Sequence, residues 1–383
     1  MAATEQRTGW MPRLATRLTG VFGGVFGGMM GGVVGVLTAG TAGAATLPEN
    51  RAEGLFHLYQ GGGVTASGPA LLVRKSLADK VSLSASYYLD AVSNASIDVV
   101  TTASPFKETR NAYDLGVDYV VRDSTISLST NQSKEPDYTA SSVSLDVSQE
   151  VFGGMTTVSL GFTRAADQVR KSNDATFADV AKHWQYRLGV TQILSPRWLM
   201  SANAEVISDS GYLGNPYRVA RVFGAAIPER YPRTRSSRAV KFRAIGDLGS
   251  RDSLRAEYRY FWDTWNIRAH TLEGGYSRYI GEPWLADLFV RYNKQNKALF
   301  YSDNASAETT YISRNRQLST FNDFSLGGKL SYTYAKVPGK YEVKLNGGYE
   351  LIRFKFSDFT DVRTGGAYAF TAHLLQLYVS ATF

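Results

Sequence analysis

The sequence holds no cysteine. That excludes disulfide staples, and it excludes thiolate ligation of a metal or haem. Histidine is nearly as scarce: His57, His183, His270 and His373 are the whole complement. Proline is sparse, and long stretches with helical periodicity are missing. After residue 45 no apolar run approaches the eighteen or so residues that a membrane-spanning helix requires. The net charge of +8 is spread along the chain, without the dense basic patch that nucleic-acid binding needs. What remains is a chain rich in glycine and tyrosine that reads as strands.

The first 44 residues differ from the rest. Arg7, Arg13 and Arg17 precede the glycine-diluted apolar run VFGGVFGGMMGGVVGVLTAG and the small-residue stretch TAGAA. A basic start, an apolar middle and a small-residue exit predict a secretory signal peptide over 1–44, cleaved after Ala44. A glycine-rich anchor is the competing reading. Residues 45–52 then form a short N-terminal segment, periplasmic if the chain is exported, and 53–383 the folded domain.

That domain alternates with a period of two. VSLSASYYLDA sets Val81, Leu83, Ala85, Tyr87 and Leu89 against Ser82, Ser84, Ser86, Tyr88 and Asp90. SVSLDVSQEV, SLRAEYRYFW and YEVKLNGGYEL repeat the pattern. Short turns are expected at 78–80, 122–124, 152–154, 194–197, 249–252, 281–283 and 337–340. Longer polar connections are expected at 61–68, 92–111, 134–141, 166–182, 209–237, 263–266, 299–318 and 357–366. Short and long connections alternating in this way predict an all-β transmembrane up-and-down antiparallel barrel of sixteen strands. The count falls to fourteen if LFHLYQ and ALLVRKSL are not strands. A soluble β-sandwich or propeller competes, but the faces opposite the oily ones carry charges where a second oily layer would have to pack. Trp184, Trp198, Trp262, Trp265 and Trp284 fall at strand ends, as an interfacial aromatic belt would place them.

The last strand, LLQLYVSATF, puts Leu375, Leu377, Val379 and Ala381 on one face and ends on Phe383. It resembles the assembly signal that the barrel-assembly machinery reads in Gram-negative outer-membrane proteins, an open strand edge offered for pairing.

Five segments resemble a family of bacterial outer-membrane proteins grouped under domain of unknown function 3570. They are SYYLDAVSNASIDVVTTASPFKETR, GYLGNPYRVAR, ERYPRTRSSRA, YRYFWDTWNIRAHTLEGGYSRYI and VRYNKQNKALFYSD. The resemblance implies an outer-membrane barrel in contact with lipid and lipopolysaccharide, with periplasmic flavin-transferase or thioredoxin-like proteins as partners. It implies no activity and no catalytic residue.

The residues themselves suggest no enzyme, no cofactor and no metal site. No strand sets an inward histidine two residues from an inward aspartate, and histidines near strand ends read as interfacial. The pairs Gly274-Gly275, Gly327-Gly328 and Gly347-Gly348 read as bends or bulges within strands. Inward positions form an acidic wall of Asp90, Asp114, Asp118, Asp146 and Glu150. They also form a basic wall of Arg187, Lys241, Arg243, Arg255, Arg259, Arg291, Lys329 and Lys344, mixed with glutamates. Two readings stay open: salt bridges that fill the lumen, or a transverse field across a wet channel. The connection 209–237 carries Arg218, Arg221, Arg230, Arg233 and Arg235. They are expected either to bind lipopolysaccharide phosphates or to fold over the mouth against the acidic wall as a constriction. The function expected is a passive or gated conduit; a non-conducting scaffold and an outer-membrane enzyme are the alternatives.

Overall fold

The computed structural model describes residues 45–94, 96 and 106–383; the expected signal peptide lies outside them. Strands β1 (Arg51–Gly61), β2 (Val64–Ala78), β3 (Val81–Asn94) and β4 (Phe106–Val121) open the domain. They are followed by β5 (Ser124–Lys134), β6 (Tyr138–Val151), β7 (Thr156–Lys171), β8 (Asp174–Ser195) and β9 (Trp198–Gly211). A small hairpin of β10 (Val219–Val222) and β11 (Ala225–Pro228) interrupts the series. It resumes with β12 (Thr234–Gly249), β13 (Asp252–Asp263), β14 (Arg268–Ile280) and β15 (Trp284–Gln295). The last strands are β16 (Phe321–Val337), β17 (Tyr341–Thr360) and β18 (Ala367–Thr382).

All but the hairpin pair antiparallel with their sequence neighbours, and β1 pairs with β18 from Arg51↔Thr382 to Gly61↔Ala372. The described residues therefore form a closed barrel of sixteen strands, β1 and β2 among them. Closure leaves no unpaired edge, which is what a bilayer demands of a sheet. Phe383 lies just beyond β18, its N–H donating to the Asn50 carbonyl and its ring under the Lys75 ammonium.

Alternation fixes which face meets which solvent. Leu71, Leu115, Leu160, Leu272 and Leu288 point outward and are more than half exposed. Such an apolar belt around a whole molecule calls for hydrocarbon rather than water. The intervening residues face inward, and there the charges sit.

All seven short turns fall where alternation places them, on the rim where β1 begins and β18 ends. At the other rim the strands run further than expected. Two residues connect β1 to β2 and β7 to β8, where loops over 61–68 and 166–182 were anticipated. Polar residues there still pair across strands above the belt, so the loss of hydrophobic alternation marks the edge of the belt rather than the end of the strand. The three glycine pairs lie in strands without a break in register. They are not bulges: a side chain at Gly327 would meet the Phe289 ring, and one at Gly275 the Arg255 guanidinium.

Candidate functional site

The inner wall is ion-paired along its length. Arg187 reaches Asp146 at 2.7 Å, Arg259 reaches Glu205 at 3.7 Å, and Lys241 and Arg243 flank Glu257 at 3.8 and 4.0 Å. Arg255 and Arg291 both contact Glu273, at 3.1 and 3.0 Å, and Arg291 continues to Glu350 at 3.2 Å. Lys344 pairs with Glu342 at 2.8 Å, while Lys329 lies over the Tyr378 ring. Apart from Lys329, the residues expected to form a basic wall thus sit in a lattice with carboxylates on their own strand or on strands one or two places away.

The acidic wall is compensated as well. Asp90 is buried, 3.1 Å from Arg110 of β4, and Arg74 of β2 lies 3.5 Å from Asp118. Asp118 also accepts from Ser127 Oγ at 2.6 Å, and Asp114 stands opposite Asn131 in register. Glu150 lies near the short-turn end of β6, facing Thr157 in register. For Asp90, Asp118 and Asp146 the cation lies one or two strands away, so these acids are paired along the wall rather than across the lumen.

Glycine makes several of these contacts possible. Asp146, Gly161 and Arg187 are in register on β6, β7 and β8. A Cβ at Gly161 would lie 2.6 Å from Arg187 Nε, so the empty position is the window through which the pair forms. Gly68 does the same on β2. His57 stands opposite it on β1, and across it His57 Nε2 meets Asp90 Oδ1 of β3 at 2.7 Å, with Tyr88 stacked on the imidazole.

A second histidine is held similarly. His183 Nδ1 is 2.7 Å from Asp209 and Nε2 is 3.0 Å from Asp167, which also accepts from the Tyr138 hydroxyl. His183 therefore faces inward and is not an interfacial ring. Both ring nitrogens meet acceptor-only groups, the pattern of an imidazolium between two carboxylates. Trp265 is a further correction: it is buried inside the mouth. His270 and His373 do face outward, hydrogen-bonded to Tyr258 and Tyr349.

At the long-loop end Glu108, Glu135 and Asp137 bring carboxylate oxygens within 4.8 Å of one another, close enough to hold a divalent cation. The sequence suggested no such cluster. Burial pushes Glu135 up to about 7, against the pull of Arg110, and the neighbouring carboxylates add to the rise. Tyr217, from the connection between β9 and β12, donates to Asp137 at 2.6 Å and accepts from the Ser172 N–H at 2.7 Å.

That connection, residues 212–233, crosses the mouth and locks onto the connection 296–320. Arg230 and Ile312 exchange both backbone hydrogen bonds at 2.9 Å, and Arg221 and Phe223 bond to Ala305. Glu229 accepts from Tyr231 at 2.8 Å, from Ser313 Oγ at 2.9 Å and from the Arg314 N–H at 2.7 Å. Burial raises its pKa, opposed by Arg218. Tyr231, Trp265 and Phe300 pack ring against ring, tying three connections together. Three of the arginines expected at the acidic wall pair elsewhere, while Arg218 lies near Glu229 and Arg221 joins the cap through its backbone. Arg230 pairs with Glu308, Arg233 doubly with Asp179, and Arg235 with Asp263.

Residues 296–320 also dip inward. Their helical turn, Arg316–Leu318, is buried, and Ser313 and Ser319 are wholly shielded. The seat is aromatic: Phe321, Phe354, Phe356, Phe359, Tyr368 and Phe370 form one cluster with Tyr301 and Leu318. Arg316 lies over Tyr368 and Phe370, and Arg314 over Phe359. Cation–π contacts of this kind seat a charged loop on an apolar wall.

Residues 90–350 match the family described as "Protein of unknown function (DUF3570)". The chain belongs to this family. No curated protein matches it in sequence. Among solved structures it is similar to a bacterial polysaccharide outer-membrane secretin, at 10% identity and a TM-score of 0.50, over 88% of this chain and 99% of that one. A FadL homologue of Pseudomonas aeruginosa gives 12% identity and a TM-score of 0.40, over 88% and 90%. The CymD monoaromatic hydrocarbon channel gives 10% and 0.42, over 88% and 89%. At these identities the likeness is one of fold, that of outer-membrane barrels.

For this family member the alternation left several site residues unseen. Arg74 lies in a strand of doubtful pattern and Arg110 in a segment that reads as loop. His57 and Asp90 stand two strands apart, linked only by the glycine between them. A lone inward glycine flanked on both neighbouring strands by polar partners is the one signal that could have found them.

Proposed function

We propose that the protein is a gated conduit of the outer membrane, closed at its long-loop end by the paired connections 212–233 and 296–320. The observation that carries this reading is the cap. Backbone pairing between Arg230 and Ile312, and the bonds that Glu229 accepts from Ser313 and Arg314, join two connections above a polar, ion-paired lumen. Such a lumen is wet in character, because charges at this density persist only where water or partners solvate them. Sixteen strands enclose enough room for both side chains and water. The apolar belt and the closed sheet support an outer-membrane location, with the long loops facing outward from the cell and the rim where β1 begins and β18 ends facing the periplasm.

The cap equally suits a barrel that conducts nothing and serves as a scaffold for a partner. Catalysis has less support: the contacts of His57 with Asp90, and of His183 with Asp167 and Asp209, are accounted for as links between strands.

Planar-bilayer recording on the wild type and on a variant with residues 299–315 replaced by a short linker tests the reading. The conduit predicts rare openings in the wild type and sustained ion current in the variant. A folded variant that remains silent would establish the scaffold instead.

A further inference from the structure

The outward face of β12 to β17 carries a second charged feature, above the apolar belt at the long-loop end. Arg238, Arg268, Lys294, Arg353 and Lys355 alternate with inward, buried residues and are all exposed. Register places them close together. Arg238 and Arg268 flank Trp262, while Lys294 stands beside His270 and is separated from Lys355 only by Asn322. Arg353 occupies the next outward position of β17, opposite Phe324. Among the described residues none of the five has a carboxylate partner; Arg353 bonds only to the Thr371 hydroxyl.

The contrast with the short-turn end is direct. There Arg278 pairs with Asp252 and Lys336 with Glu342. Beneath the cationic row lies an aromatic shelf. Tyr260 stacks on Trp262 at 5.2 Å and packs against His270 at 4.8 Å, and Tyr258 bonds to His270 at 2.8 Å. Aromatic rings of this kind settle at the headgroup boundary, which puts the cations at headgroup depth.

We infer that this face binds a phosphorylated glycolipid of the outer leaflet through its sugar-borne phosphates. The inference rests on the outer-membrane reading for its biological setting, though not for its chemistry. Unpaired cations at headgroup depth need anions, and phosphates are the anions a membrane offers. The row spans five strand spacings, roughly 24 Å at about 4.8 Å each. A phospholipid with one phosphate satisfies one of these cations. A rigid sugar bearing several phosphates satisfies several at once, so the glycolipid is the occupant that matches the patch.

The test is native mass spectrometry of the detergent-purified full chain. Its probes are bis-phosphorylated lipid A, lipid A stripped of phosphate, and phosphatidylglycerol. Wild type is expected to retain the bis-phosphorylated form at least tenfold better than either of the others. Combining Arg238→Ala, Arg268→Ala, Lys294→Ala and Lys355→Ala should remove that preference while heat-modifiable gel migration stays intact. The charge-preserving set Arg238→Lys, Arg268→Lys, Lys294→Arg and Lys355→Arg should keep most of it. Equal retention of phosphatidylglycerol, or a preference that survives the alanine set, would overturn the inference. Density-gradient fractionation of cells tests the location separately, so failure of one claim cannot pass for failure of the other.

Discussion

His57 and Asp90 stand on strands that never touch, yet Nε2 and Oδ1 are 2.7 Å apart across Gly68. A Cβ at Gly68 would lie 1.8 Å from the Leu89 carbonyl oxygen, and that oxygen belongs to the backbone. Gly68→Ala must therefore shift β2 against β3, at a cost of about 2 kcal/mol. Gly347→Ala is the control, since its nearest neighbour is a leucine methyl at an ordinary 3.6 Å. Urea unfolding in lipid vesicles should separate the two. Equal midpoints would remove the glycine window from the account.

The pair Asp146–Arg187 forms through the same kind of window, with the Asp146 side chain partly open to the lumen. Asp146→Asn should leave the Arg187 charge without its counter-ion and shift ion selectivity toward anions. Reversal potentials under a salt gradient, measured in the cap-deleted barrel, check this. The shift should shrink at high ionic strength, because screening removes the bare charge. An unchanged reversal potential would mean that ions do not pass this wall.

Glu135 gives the mouth a pH dependence with a definite sign. Burial raises its pKa from 4.5 to about 7, so the folded mouth binds its proton more tightly than an open one. That contribution is complete below about pH 4.5 and is lost as pH rises to about 7. The Glu135 N–H, which donates to the Tyr138 carbonyl at 2.7 Å, is the reporter. Corrected for intrinsic rates, its hydrogen exchange should be slower at pH 5 than at pH 8, and Glu135→Gln should flatten the difference. Faster exchange at the lower pH would reverse the assignment.

Alternation and turn spacing carried the barrel, its strand number and the direction in which each strand faces. The seven short turns were legible because hydrophobic alternation stops on both sides of a short polar step. The long-loop rim was not, since there β7 and β8 pair through polar residues that look like loop. The ion-pair lattice was half legible: parity placed Arg255 and Glu273 on the inner wall, while only register shows that they meet. The cap was half legible: folding of the connection 209–237 over the mouth was one of two expectations, but its docking onto a second connection was not foreseen. Residues 296–320 read as a solvated loop, and nothing local in them announces the aromatic seat assembled from β16, β17 and β18.

Glu229 accepts three hydrogen bonds, two of which, from Ser313 Oγ and the Arg314 N–H, join the two halves of that cap; the third, from Tyr231, stays within its own connection. Glu229→Ala strips all three and should weaken the closed state by about 2 kcal/mol, roughly thirtyfold in the ratio of closed to open. Glu229→Gln keeps an acceptor oxygen and should do less. Open probability in bilayer recordings ranks the three proteins. No change with alanine would place the gate elsewhere.

Because the sequence holds no cysteine, the two connections can be locked together and released by a single engineered disulfide. Arg230 and Ile312 form a pair with both backbone hydrogen bonds, and such pairs hold their Cα atoms about 5.5 Å apart, within disulfide reach. Arg230→Cys with Ile312→Cys would then make the chain's one disulfide, across the two connections. Single-channel recording on this variant should show a silent barrel when oxidised, with openings on adding reductant that vanish on reoxidation. Identical currents in the oxidised and reduced states would contradict a gate built from these two loops.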